Sequence, residues 1–279
     1  MTLNTKTHVA GLCTRIAFGA VLTAAFFCLE MPARANTAQQ LVTNGGFETT
    51  TSAGNGGPVN GGGQMGYNIN ATGWSTSGYN FIFASGTGDS PGTTGADGAL
   101  SIWGPNSGSG GSANGLPASS PDGGNYVAAD GAYEVGAIMQ TLTSLTPGTT
   151  YAVSFYYAGA QQYTFSGTTS EAWKVSLGGS ATQETTVLAD TNHGFTGWQY
   201  ETMLFTADAT SDVLSFLAVG TPSGEPPFSL LDGVSVTQYT ATPEPESVVL
   251  TLGALATMAG LFRFRKRSGK TASSDRQLK

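Results

Sequence analysis

Between residues 36 and 242 no stretch keeps an apolar residue at every third or fourth position; the apolar residues come in short runs broken by Gly, Pro, Asn and Ser. A helix needs the 3.6-residue period to bury one stripe, whereas a strand needs only alternation over a few residues. The chain is therefore expected to form an all-β body, a sandwich or a barrel, with little helix.

The clearest strands are predicted at residues 151–157, 198–206, 213–219 and 229–236, with weaker ones at 81–83, 100–103, 126–128, 138–142, 173–177 and 185–188. Pro147-Gly148 is a turn dipeptide that sets up entry into the first of these. Alternation over 151–157 puts Tyr151, Val153, Phe155 and Tyr157 on one face and Tyr156 on the other. One of the two neighbouring tyrosines must then meet a groove or water. Segments 51–66 and 104–120 are rich in Gly and Ser and are expected to be surface loops inserted into one domain. The run 108–115 has neither the lysine nor the following helix of a phosphate-binding loop.

Both ends read as trafficking instructions. Lys6 and Arg15, the apolar run 16–27 and Ala33-Arg34-Ala35 are the three zones of a secretory signal peptide, residues 1–35, with cleavage after Ala35. Its run of about 12 apolar residues is too short for a bilayer core of about 30 Å. Cys13 and Cys28 both fall inside it, so the expected mature body, residues 36–242, has no disulfide and must be held by burial alone.

Charge is sharply divided. Of eleven Lys and Arg residues, seven lie at or after Arg263 and three in the signal, leaving Lys174 against fourteen carboxylates between residues 36 and 242. Such a body repels polyanions, which excludes nucleic acid as a partner, and it offers oxygen ligands to a hard cation such as calcium.

At the C-terminal end stand Pro243-Glu244-Pro245, an apolar run at 248–262, and then Arg263, Arg265, Lys266 and Arg267. The prolines stop any strand. About 15 apolar residues make roughly 22 Å of helix, which spans a bilayer only with snorkelling side chains or local thinning. The basic cluster stays cytoplasmic and leaves the β body outside. Residues 243–267 resemble the PEP-CTERM sorting signal of Gram-negative bacteria, in which this sequence of elements is read by an exosortase. The resemblance implies an exported protein that is an inner-membrane intermediate with a transmembrane segment, processed near Pro-Glu-Pro and released to the outer surface or to the extracellular matrix of a biofilm. The tail 268–279 is longer than such signals carry, and an ordinary single-span anchor gives the same topology.

The body opens with Leu41-Val42-Thr43-Asn44-Gly45-Gly46-Phe47-Glu48 and closes with Phe228-Ser229-Leu230-Leu231-Asp232-Gly233-Val234-Ser235-Val236. Together with Leu145-Thr146-Pro147-Gly148-Thr149-Thr150-Tyr151 and Gly197-Trp198, these motifs resemble the jelly-roll β-sandwiches of carbohydrate-binding modules and galactose-binding-like domains. The resemblance implies that the first and last strands lie side by side, with Glu48 and Asp232 as candidate ligands of a structural calcium and Asp130 completing the shell. The alternative is that these acids only hydrogen-bond loop backbone. It also implies extracellular polysaccharide as a partner, stacked on exposed rings, for which Trp74, Trp103, Tyr133 and Tyr156 are the candidates. Aromatic residues of short strands more often belong to the core.

Catalysis has little support. His193 is the single histidine after the signal, so no zinc cluster of His and Cys forms, and no Gly-x-Ser-x-Gly elbow is present. Paired carboxylates for glycoside hydrolysis stay open as a third class beside glycan binding and a purely structural envelope role. The first class predicts a groove lined by exposed aromatics, the second buried rings, the third two carboxylates across a cleft.

Overall fold

The computed structural model describes residues 39–108 and 110–241. Ala33, Ala35 and the rest of the signal, Pro243, Glu244, Pro245, the apolar run 248–262 and the basic cluster from Arg263 to Arg267 lie outside the described residues.

The described residues form sixteen strands and no helix. They are β1 (Thr50–Ser52), β2 (Gly63–Gln64), β3 (Ile69–Ala71), β4 (Ser75–Thr76), β5 (Asn80–Phe83), β6 (Thr93–Gly95), β7 (Gly98–Leu100), β8 (Tyr126–Asp130) and β9 (Ile138–Thr143). The longer second half follows with β10 (Thr150–Gln161), β11 (Thr169–Leu177), β12 (Gln183–Glu184), β13 (Leu188–Asp190), β14 (Gln199–Thr206), β15 (Ser211–Thr221) and β16 (Pro227–Gln238). One sheet has the order β14-β10-β16-β8-β5-β2; a second has β12-β11-β15-β9-β4, with β13 also on β11. From β8 onward the chain crosses between the two sheets at almost every connection. This is the winding of a jelly-roll sandwich, which buries one face of each sheet and leaves few free edges.

Alternation decides which side chains enter the core. Val153, Phe155, Tyr157, Met203, Phe205, Leu231 and Val236 of the first sheet meet Ile138, Leu142, Trp173, Val175, Leu177, Leu214 and Phe216 of the second. Phe155 and Phe216 meet edge to face with centroids 5.1 Å apart, and Trp173 Nε1 donates to the Leu230 carbonyl at 2.9 Å, so its one polar atom is satisfied across the sheets. Tyr157 is buried and its neighbour Tyr156 faces outward, as the alternation requires.

Two differences from the sequence-based expectation have physical causes. The predicted strand at 185–188 falls on the gap between β12 and β13, sharing only Leu188 with the latter, because Thr185 turns its hydroxyl and its N–H onto the Trp173 backbone there. Segment 104–120 is largely exposed, yet its Leu116 is buried. Leu116, with Leu100 and Ile102 just before the segment, packs on Phe81, Phe83, Tyr126, Phe228 and Leu230, so these three side chains cover half of the first sheet's outer face.

Candidate functional site

The other half of that outer face is open. Near the end of the ladder between β10 and the edge strand β14, Tyr156 stands directly opposite Tyr200, with ring centroids 5.0 Å apart at 56°. Tyr200 is 60% exposed. Ser154 and Thr202 follow on the same face with hydroxyls 2.9 Å apart. On its other side Tyr156 is registered with Asp232 of β16. The row Tyr200, Tyr156, Asp232 therefore runs across three adjacent strands.

Between Ser154 and Tyr156 the register with β16 shifts, and Gly233 sits there with a left-handed φ of 59°. A bulge built on such a glycine re-aims its neighbours. Next to it the turn Asn44–Glu48 docks on β16: the Val234 N–H donates to the Gly45 carbonyl at 3.0 Å, and a Cβ at Gly45 would collide with the Val234 carbonyl oxygen. Trp74 holds the turn from beneath, donating Nε1 to the Asn44 carbonyl at 2.9 Å and packing on Phe47 at 5.1 Å.

These contacts bring three carboxylates together. A Cβ at Gly46 would lie 3.0 Å from Asp122 Oδ2, 3.7 Å from Glu48 Cγ and 3.8 Å from Asp232 Oδ1. Glu48 Oε1 accepts the Asn125 N–H at 2.7 Å, and Asp232 Oδ2 accepts from the Ser120 hydroxyl. Asp232 Oδ1 is buried without a partner. Burial, with Asp122 and Glu48 adding repulsion, pushes the Asp232 carboxyl up to about 8 against the pull of the Ser120 and Gly233 donors. Among the described residues no three acids, histidines or cysteines already stand at metal-ligand spacing. The donor set is nonetheless all oxygen, Glu48 and Asp122 are exposed enough to swing, and Asp232 offers an orphaned oxygen, so the chemistry fits a hard cation such as calcium.

The other sequence-predicted residues fall elsewhere. Asp130 pairs with Phe228, so it stands roughly 13 Å along the sheet from Asp232 and cannot share a shell with it. Its Oδ1 accepts the N–H groups of Ala132 at 2.8 Å and Tyr133 at 3.0 Å, the loop-capping alternative. Burial pushes it up to about 6. Trp74 and Trp103 are 7% and 8% exposed and serve the core rather than a stacking platform. Trp103 donates Nε1 to the Phe165 carbonyl at 2.8 Å and lies parallel to the His193 ring at 3.7 Å. Tyr133 is exposed but packs its edge on Tyr79 beside Asp97, at the Asp130 end of β8. Tyr156 is the one predicted ring on the open face. Sequence reasoning missed Tyr200, although the alternation of Tyr200, Thr202, Leu204 and Thr206 against Met203 and Phe205 carries it, and missed Asp122, whose turn has no periodic signal.

No protein-family model and no curated protein matches the chain. Among solved structures, it is similar to TmCBM61 in complex with β-1,4-galactotriose, at 15% identity and a TM-score of 0.40, over 72% of this chain and 100% of that one. It is also similar to the CBM22-1 xylan-binding domain from Paenibacillus barcinonensis, at 12% identity and a TM-score of 0.36, over 74% of this chain and 97% of that one. A third is the N-terminal cellulose-binding domain of a Cellulomonas fimi β-1,4-glucanase, at 18% identity and a TM-score of 0.31, over 61% and 91% of the two chains. At these scores the reading of the site rests on its own geometry.

Proposed function

We propose that the sandwich is a non-catalytic polysaccharide-binding domain whose contact surface is the open half of the first sheet's outer face. One observation carries this reading: half-buried Tyr156 and exposed Tyr200 form an aromatic pair across β10 and the edge strand β14, beside carboxylates. Leaving a paired ring on the sheet face open to solvent forgoes burial that a purely structural strand would take. The C–H face of a pyranose covers such rings, and Glu48, Asp122, Ser154 and Thr202 stand around them to bond its hydroxyls. A calcium held by Glu48, Asp122 and Asp232 would lock the Asn44–Glu48 turn against β16 at the edge of this surface. The export route belongs to the same proposal. The terminal segments deliver the body through an exosortase-read signal to the cell surface or matrix, where polysaccharide is at hand.

Binding to an array of microbial and plant polysaccharides tests the glycan reading. The wild-type chain should retain at least one class of polymer, the Tyr156→Ala, Tyr200→Ala double variant should lose it, and no sugar should be released. Equal binding by the variant, hydrolysis of the polymer, or no binding by the wild type would overturn it. Mass spectrometry of the native protein tests the route, since a secreted form still ending at Lys279 contradicts processing.

A further inference from the structure

A second group of acids lies inside the sandwich, away from the open face. β11 pairs with β13 so that Thr169 faces Asp190 and Glu171 faces Leu188. Thr169 and Glu171 share a strand face with Trp173, Val175 and Leu177, which is the core face, and Asp190 projects from the same side. Directly opposite and diagonal neighbours on one face stand about 5 and 7 Å apart at Cβ, within reach of a single bound atom. Glu171 is wholly buried, and Asp190 and Thr169 are 4% and 5% exposed.

Four of their oxygens have no partner: both of Glu171, Oδ2 of Asp190 and Oγ1 of Thr169. The Thr169 hydroxyl lies beside the Glu171 carboxylate without a well-formed bond to it. No cationic side chain answers these charges. Lys174 is the one Lys or Arg among the described residues and, being an odd number of positions from Glu171, it projects from the other face of β11. His193, three residues past Asp190, is engaged with Trp103 and the Ser166 hydroxyl. On the facing strand Gly159 lets the Glu171 carboxylate, with the Thr196 methyl beside it, come up against the backbone where a side chain would otherwise stand.

Two carboxylates buried without partners cost far more than the interior contacts around them return, unless a charge or a proton joins them. We infer that Thr169, Glu171 and Asp190 form an interior calcium site that ties β13 to β11, separate from Glu48, Asp122 and Asp232. A hard divalent cation meets both acids and the hydroxyl with the donor type it prefers. The diagonal spacing of the three donors suits calcium, which accepts six to eight oxygens in irregular geometry, better than magnesium with its strict octahedron.

The test is a calorimetric titration of calcium chloride into the full chain after chelation. Two equivalents are expected to bind the wild type, one to remain in Glu171→Gln or Asp190→Asn, and a different one to remain in Glu48→Gln. Should Glu171→Gln fail to fold, the melting midpoint of Glu48→Gln with and without calcium decides instead: a calcium-dependent rise supports the interior site. Unchanged stoichiometry in Glu171→Gln and Asp190→Asn, or a Glu48→Gln midpoint indifferent to calcium, overturns it. The interior ion is independent of glycan binding. A wild type that ignores every polysaccharide yet binds two calcium ions would sink only the earlier reading.

Discussion

The open outer face and the interior of the same sandwich each gather carboxylates and a hydroxyl, yet their surroundings differ. Around Asp232 the partners come from loops: Glu48 from an N-terminal turn, Asp122 and Ser120 from the end of a long connection, with Tyr156 and exposed Tyr200 alongside. Around Glu171 they come from strands, are enclosed by both sheets and meet no ring that solvent reaches. Loops can swing and admit a ligand, so the first cluster reads as recognition. A strand register holds its donors at fixed spacing and admits only something as small as an ion or a proton, so the second reads as stability.

The largest effect that tests this contrast is on pH-dependent stability in chelator. Glu171 is raised by burial from 4.5 to about 8, so the folded chain binds more protons than the unfolded one between those values. Its stabilising contribution is then complete below about pH 4.5 and is lost as the pH rises through about 8. The midpoint of metal-free protein should fall by on the order of 10 °C or more from pH 5 to pH 8; Asp232, raised to about 8, and Asp190, raised to about 7, titrate in the same window, so Glu171→Gln should remove only its own share of that slope, and calcium should restore the midpoint at pH 8. A slope unchanged by Glu171→Gln would erase the distinction between the two clusters.

Next in size is Gly45→Ala. Its methyl meets the Val234 backbone, a clash worth about 1–3 kcal/mol. Denaturant unfolding should show that loss, and calorimetry should show weaker calcium binding at Glu48 with the interior ion retained. Smaller again is the double replacement of Tyr156 and Tyr200 by Ala. Polysaccharide affinity should drop by about tenfold or more, equivalent to about 1.4 kcal/mol, while the midpoint moves by no more than about 2 °C. Smallest is Asp130→Asn, which keeps an oxygen for the Ala132 and Tyr133 N–H groups. It should cost about 1 kcal/mol and change neither calcium stoichiometry nor glycan binding.

Much of the interior is legible in the amino-acid pattern alone. Alternation places Phe155, Tyr157, Trp173 and Leu231 inward and Tyr156 outward, because a strand side chain has only two directions to choose from. The tryptophans show the limit. Trp74 and Trp103 have the look of platforms in a sequence, but large rings beside a core are worth more inside, and each finds a carbonyl for its indole N–H. The acids show it more plainly. Glu48 and Asp232 both come up to Gly46, whereas Asp130 lies far along the sheet and the third carboxylate there is Asp122, a residue in a turn with no pattern around it.

By itself the sequence determined the all-β class, the inward set of each long strand and the near absence of cations between residues 36 and 242. It could do so because periodicity, charge and composition act locally and need no partner strand. Only the tertiary structure decided that Tyr200 stands beside Tyr156, that Leu100, Ile102 and Leu116 cover half a sheet, and that Glu171 and Asp190 share one buried space. Those outcomes depend on the register between strands far apart in the chain and on a bulge at Gly233 that shifts it. Register is set by the packing of both sheets at once, so no single stretch of sequence contains it.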